Sequence, residues 1–315
     1  PGWARVGGTR VDARGSFGPY RQSERKGIYA EHLARLVEHD LAYWCFCAPE
    51  ALESKRQSML AEGLPPLYSG ACRSIPSEAG ERRRAQGEPS VLRFKMPQEK
   101  ISFGDLVRGK VAFDLALVGD MVIAKAVDEP LFDVANIIDD QLMEITHVIR
   151  GEDHLPNTPK QIALARALGF RPLTYAHIPL ILNADRSKMS KRTSVTSLAE
   201  YRSLGYLPDA IVNFLALMGW HPEGAGKGER DREVLSREEL TNLFSLERVQ
   251  KGGAMFNVQK LDWLNSQYIK RIDTSALALA ALPYLGSGVQ PNRDKLELIV
   301  ALVRDRMKKL SDIGE

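Results

Sequence analysis

Cysteine is scarce in this sequence: Cys45, Cys47 and Cys72 are the only three in 315 residues. So small and odd a number excludes a disulfide framework, and stability has to come from a packed apolar core. Long apolar runs are missing as well. The longest, such as IVNFLALMGW at 211–220, fall well short of the roughly 20 residues that cross a bilayer. No charged-then-apolar leader opens the chain, so a cytoplasmic protein without membrane partners is expected. The first residue is Pro1 rather than Met, which suggests a processed or incomplete product. No G-x-x-x-x-G-K-[ST] occurs, and a Walker-type ATPase is excluded. Charge of one sign is not in excess: a formal +3 permits a nucleic-acid partner without demanding one. What is present is an ordinary globular composition, 44% hydrophobic and 26% charged, in a chain long enough for two or three domains.

The cysteines are unevenly placed, as a C-x-C followed by a distant Cys72. Zinc takes about four N, S or O ligands in a tetrahedron, and this pattern supplies three. Tyr68 is the nearby candidate for the fourth, while Ser74 stands where a histidine would have completed the set. Three reduced, partly buried thiols are the alternative. Between the cysteines, residues 48–63 read as a helix with Pro49 in its first turn and Gly63 as its stop. EAGERRRAQGEP (78–89) is charged and bounded by Gly and Pro, and is expected to be a loop. VLRFKM (91–96) alternates Leu92, Phe94 and Met96 against Arg93 and Lys95, as a half-buried strand does. Short strands follow, with turns expected at Gly104, Gly109 and Gly119.

From 128 the pattern becomes alternating strand and helix. ITHVIRGED (145–153) opens as a compact apolar strand. TPKQIALARALG (158–169) is expected to be a helix with Thr158 as N-cap, Pro159 in the first helical position and Gln161 closing a capping box. Its inner face carries Leu164 and Leu168, and Gly169 ends it. YAHIPLILN (175–183) is a second buried strand, and it runs into LNADRSKMSKRTSV. Strand, crossover helix and strand form a right-handed parallel unit that binds ligands at the carboxyl ends of its strands. Arg150 and the Lys188–Arg192 cluster both follow such ends, so the two are expected to face one site. Two ammoniums and a guanidinium there suit a triphosphate and the charge on a departing pyrophosphate. A solvated basic turn is the alternative.

The KMSKR segment, with THVIRGEDHLPNTPKQIALARALGF before it and SLAEYRSLGYLPDAIVNFLALMGWHPEG after it, strongly resembles the bacterial and organellar glutamyl-tRNA synthetases, a class I aminoacyl-tRNA synthetase family. GPYRQSER (18–25), CFCAPEALE (45–53), VANIIDDQLMEITHVIRGED (134–153) and FNVQKLDWLNSQYI (256–269) extend the resemblance over nearly the whole chain, in order. It implies an α/β fold: a Rossmann-like catalytic domain, incomplete at its N-terminus, with an inserted α+β acceptor-binding subdomain and a C-terminal helical stem-contact region. The expected division is 1–40 and 126–195 for the catalytic domain, 41–125 for the insert with its candidate zinc site, 196–273 for the stem-contact helices, and 274–315 for the start of an anticodon-binding domain. The implied reaction is ATP-dependent: glutamate's carboxylate attacks the α-phosphate to give glutamyl-adenylate and pyrophosphate, and a terminal ribose hydroxyl of tRNA(Glu) then takes the glutamyl group. ATP and Mg2+ are the implied cofactors, Zn2+ a candidate, and a monomer the implied state.

Carried over residue by residue, Lys188 and Lys191 are catalytic, and with Met189, Ser190 and Arg192 they belong to the loop that binds ATP. Arg150 pairs with the side-chain carboxylate of glutamate, as suits a bidentate guanidinium; a plain surface arginine is its alternative. Phe132 and Asn136 line the amino-acid pocket. Phe132 stands where the family usually has Tyr, and Asp133 where Asn is common. Glu152 is placed with glutamate and Asp153 with ATP, unless they only cap the next helix. The family's His-x-Gly-His-type signature is absent from the six histidines, so this chain is expected not to form the adenylate by itself. Capping boxes at Ser197/Glu200 and Ser236/Glu239 and a helix opened by Pro208, with Ile211, Phe214, Leu215 and Met218 on one face, fit the stem-contact region. KLELIVALVRDRMKKL, apolar on one face, fits the start of the anticodon domain. Arg82, Arg83 and Arg84 are candidate RNA contacts, with a solvated loop as their rival. A glutamyl-queuosine-tRNA(Asp) synthetase, a glutaminyl-tRNA synthetase and a non-catalytic tRNA-binding relic are the other readings.

Overall fold

The computed structural model describes residues 15–183, 185–189, 197–222, 233–286 and 292–314. The chain forms two compact units, Pro1–Ala176 and His177–Glu315. The first unit runs α1 (Lys26–Glu38), β1 (Ala42–Cys45), α2 (Pro49–Ala61), α3 (Ser77–Ala85), β2 (Val91–Phe94), β3 (Lys100–Asp105), β4 (Gly109–Asp114), β5 (Val122–Ala126), β6 (Glu129–Pro130), α4 (Phe132–Leu142), β7 (His147–Gly151), α5 (Thr158–Ala167) and β8 (Thr174–Ile178). One sheet has the order β1-β2-β5-β6. The β3–β4 hairpin belongs to a second sheet, of order β4-β3-β8-β7.

Helix α1 buries Tyr29, Leu33 and Leu36, spaced four and three residues apart on one face. They meet Trp44, Leu92, Phe94, Ile123, Ile138 and Leu164 in the main core. A buried ion pair sets the register between α1 and α4: Arg25 Nε donates to Asp139 Oδ1 at 2.6 Å, and the Tyr29 hydroxyl donates to Oδ2 at 2.8 Å. Burial first, and the Asp139 carboxylate second, push the Tyr29 hydroxyl up to about 12. Such a pair contributes specificity more than net stability, because desolvation offsets its attraction.

Four local expectations need correction. Residues 77–85 are a helix, not a loop. It has no apolar stripe; Gly80 lies against Trp44, and its arginines supply the rest. The Arg83 guanidinium sits 4.0 Å from the Phe46 ring centre, and Arg84 lies 5.0 Å from that of Trp44. Both are also paired with glutamates, Glu88 and Glu81, so of the three arginines only Arg82 is exposed. Gly104 lies inside β3, and the turn is at 106–108; Gly109, at φ +81°, follows it. Strand β2 buries Leu92 and Phe94 as expected but also Arg93, whose guanidinium donates to the Asp120 carbonyl and stacks on Tyr68. Strand β7, read as compact and apolar, is largely exposed, with Ile149 53% accessible. It is last in its sheet among the described residues, so one side of it has no neighbouring strand to cover it.

The second unit contains β9 (Ile181–Leu182), α6 (Leu198–Ser203), α7 (Pro208–Leu217), α8 (Arg237–Leu243), β10 (Ala254–Met255), α9 (Val258–Arg271), α10 (Thr274–Ala281) and α11 (Arg293–Val303). The expected strand 175–183 is two strands, because Pro179 and Leu180 separate β8 from β9. Both serine capping boxes form. In α7 the inward residues are Ile211, Asn213, Phe214 and Leu217, whereas Leu215 is exposed. Asn213 turns that face: its Oδ1 accepts from Leu235 N and from the Tyr268 hydroxyl, both at 2.8 Å. The segment 295–310 is not one helix. Helix α11 stops at Val303, and Met307 and Leu310 reach the same small core as Leu296 and Val300 from beyond a turn. No helix among the described residues is long and apolar enough to cross a membrane.

Candidate active site

Strand β7 delivers Arg150 next to the start of α5. The guanidinium is largely withdrawn from water, and its Nη2 donates to Thr158 Oγ1 at 2.9 Å and to Gln161 Oε1 at 2.6 Å. Thr158 is therefore not an N-cap, and the expected capping box does not form: Asn157 holds the cap position. The physical reason is the Arg150 guanidinium, which is largely withdrawn from water and takes both side-chain oxygens as acceptors. Gln161 reaches on to α4, where its Nε2 donates to Asp133 Oδ1 at 2.8 Å. Pro159 is the second helical residue rather than the first, while Leu164 and Gly169 take the places expected of them.

Around this arginine the other expected residues are arranged on α4 and on the turn after β7. Phe132 is half exposed, with its ring 5.5 Å from that of His154; Asn136 is partly buried in the next turn of α4. Glu152 is ion-paired with Arg108 of the β3–β4 turn, and that turn is itself held by Asp105 Oδ1, which accepts from Val107 N and Arg108 N. Asp153 folds back over Gly151, where a Cβ would lie 2.6 Å from its Oδ1.

Burial dominates the electrostatics. It pulls the Arg150 guanidinium below its ordinary value, against Tyr175, Asp140, Asp133 and Asp153, which all hold its charge on. Burial also raises the Asp140 carboxyl to about 6, with Arg150 opposing and Asp139 reinforcing. Asp140, Gln161 and Arg108 were not foreseen. The spacing of Asp140 four residues after Asn136, one helical turn along α4, was the available signal for the first.

The Asp140 shift has a measurable consequence. Its folded pKa lies above the unfolded value, so between about pH 4 and 6 the native state binds more protons, and stability falls as pH rises. Above about pH 6 the full cost is present, up to about 3 kcal/mol. Asp140→Asn is expected to flatten the unfolding free energy across that window and to raise it at pH 7, as read by urea denaturation at a series of pH values.

In the second unit, the lysine cluster begins in an ordered hairpin. Lys188 forms a bridge with Leu182 of β9, Met189 N donates to Ile181 O at 3.1 Å, and Asn183 N donates to Ser187 O at 2.9 Å. Ser190, Lys191 and Arg192 lie outside the described residues.

The three cysteines come together. Their sulfurs all lie within 4.8 Å of one another, with Cys47 and Cys72 3.6 Å apart. The Tyr68 oxygen lies 3.3 Å from Cys45 Sγ and 3.5 Å from Cys47 Sγ, and it accepts from Cys72 N at 3.1 Å. Burial pushes the Cys45 thiol up, but hydrogen bonds from Tyr68, the Cys47 backbone and Arg93 outweigh it and leave the thiol below its ordinary value. Three clustered cysteine sulfurs and a phenol oxygen are a donor set suited to a soft divalent metal.

Residues 8–263 match the model of the catalytic domain of class I tRNA synthetases of the E and Q kind, and the chain belongs to that family. Relatives within it include glutamate–tRNA ligases. It is 43% identical over 307 residues to that of Natranaerobius thermophilus, covering 95% of this chain and 62% of the relative. It is 46% identical over 279 residues to that of Geobacillus stearothermophilus, covering 87% of this chain and 56% of the relative. A crystal structure of a glutamate tRNA ligase from Elizabethkingia meningosepticum, in complex with its amino acid, superimposes with a TM-score of 0.82 at 33% identity, covering 95% of this chain and 64% of that one. The chain thus spans 56% to 64% of the length of these relatives.

Proposed function

We propose that the chain serves ATP-dependent attachment of L-glutamate to tRNA(Glu) through a glutamyl-adenylate. The observation that carries this reading is Arg150, a withdrawn guanidinium whose Nη2 rests on two uncharged acceptors. Those two contacts leave the guanidinium charged, with Tyr175, Asp140, Asp133 and Asp153 holding the charge on, and able to meet the side-chain carboxylate of glutamate. Phe132, Asn136 and Glu152 frame that amino acid, and Asp153 stands on the ATP side. Lys188 and Lys191, with Met189, Ser190 and Arg192, bind the triphosphate and offset the charge that builds on the leaving pyrophosphate. Mg2+ accompanies ATP and neutralises part of the phosphate charge. The cysteine cluster fits Zn2+, with Cys45, Cys47, Cys72 and the Tyr68 oxygen as its holders, and such a site would brace the segment that meets the tRNA acceptor end.

Glutamate-dependent exchange of pyrophosphate into ATP tests the reading, together with metal analysis of the same preparation. Exchange is expected with L-glutamate and not with L-glutamine when the chain is carried in a full-length enzyme, and not from this chain by itself, with one zinc per chain; exchange driven by glutamine would sink the glutamate assignment. A metal-free preparation would leave the cysteines as three thiols.

A further inference from the structure

Gln161 takes no part in the function set out above, yet both ends of its amide are committed. It is 1% exposed; Oε1 accepts from Arg150 Nη2 at 2.6 Å, and Nε2 donates to Asp133 Oδ1 at 2.8 Å. The reverse orientation would aim an NH2 group at a guanidinium and a carbonyl at a carboxylate, so the charges on either side allow one arrangement only. Thr158, fully buried, offers its hydroxyl oxygen to the same Nη2 at 2.9 Å and donates to the His154 carbonyl. Two rigid acceptors from one turn of α5 therefore hold a single nitrogen, which restricts rotation of the guanidinium plane.

Both acceptors are neutral, and that property has a consequence for selectivity. A carboxylate at position 161 would satisfy Nη2 equally well but would cancel the charge that an incoming carboxylate needs. Asp133, the nearest acid in this chain of bonds, is kept one amide away from the guanidinium.

We propose that Gln161 and Thr158 are positioning residues that aim the Arg150 guanidinium and, by being uncharged, set the preference for a γ-carboxylate over a γ-amide ligand. This rests on the reading of Arg150 as the glutamate contact.

Titration calorimetry of the full chain with L-glutamate and with L-glutamine tests it. Gln161→Glu is expected to weaken glutamate binding by roughly tenfold or more, the usual scale for one charged hydrogen bond, and to shrink the glutamate-to-glutamine affinity ratio. Thr158→Val is expected to weaken glutamate several-fold, and Thr158→Ser to restore it. A purely structural role would lower the melting temperature and leave the affinity ratio as in the parent chain; that result overturns the proposal. If Gln161→Glu does not fold, the Thr158 pair decides the question on the same ratio. Arg150→Lys separates the two levels. Unchanged glutamate affinity in that variant would remove the reading of Arg150 and the positioning role with it. Lost affinity there, with an unaltered ratio in the Gln161 and Thr158 variants, would remove the positioning role alone.

Discussion

Arg150→Ala is expected to lower glutamate affinity by roughly 100- to 1,000-fold, the range seen when one partner of a largely desolvated charged hydrogen bond is truncated. Lysine at this position should recover little, because an ammonium standing in for Nη2 between Thr158 Oγ1 and Gln161 Oε1 offers no planar fork to a carboxylate. The stability cost should be smaller than for most buried charges. Asp140, already raised to about 6 by burial, would lose the one neighbour that lowers it, so its carboxyl would rise further and take up a proton more readily, which limits the uncompensated charge left behind. Titration with glutamate and urea denaturation of the same variant check both halves. An affinity within twofold of the parent chain would show that Arg150 does not meet the substrate.

Asp120→Ala is expected to destabilise the first unit by about 3–5 kcal/mol, since it removes a buried acceptor and strands its donors. Asp120 is 6% exposed. Its Oδ2 accepts from the Tyr43 hydroxyl at 2.7 Å and its Oδ1 from Met96 N at 2.8 Å, while Arg73 forms an ion pair with it. These bonds join β1, the end of β2, and the residue that follows Cys72. Burial first and then the bond to Asp120 hold the Tyr43 hydroxyl in its protonated form, so the donor would be left buried and unmatched. Asp120→Asn keeps the shape and one acceptor and should cost about half as much. Urea unfolding read by tryptophan fluorescence, with Trp44 in β1 as a reporter, measures the difference. A loss under 1 kcal/mol for the alanine variant would mean that water replaces the carboxylate.

What was legible in the sequence is what depends on neighbours a few residues apart. Pro49, Pro159 and Pro208 open helices because a fixed φ and a missing N–H suit a first turn, and all three helices are present. Ser197 and Ser236 cap helices through acids three residues on. The strand around Leu92 and Phe94 was legible from its alternation, although Arg93 is buried beside them. The misreadings share a cause. Residues 77–85 have no apolar face of their own, and their helix rests on arginines lying over Phe46 and Trp44 from another part of the chain. Thr158 and Gln161 carry a sound local capping signal, but a buried guanidinium from β7 competes for the same oxygens. Leu215 fits the stripe of α7, yet Asn213 takes the inward position because two donors from elsewhere await it.

The candidate site divides along the same line. The sequence by itself determined which residues are candidates for the chemistry: an arginine at the end of a strand, a lysine-rich loop, and three cysteines with a nearby tyrosine. Residue type and local spacing are enough for that, because charge, nucleophilicity and helix capping belong to short segments. Only the tertiary structure decided that Glu152 is engaged by Arg108, that burial raises the Asp140 carboxyl to about 6, that Tyr68 stands among three sulfurs, and that Gln161 accepts from Arg150. Burial and long-range pairing change which proton or hydrogen bond a group keeps, and both come from residues dozens of positions away, which no window along the chain contains.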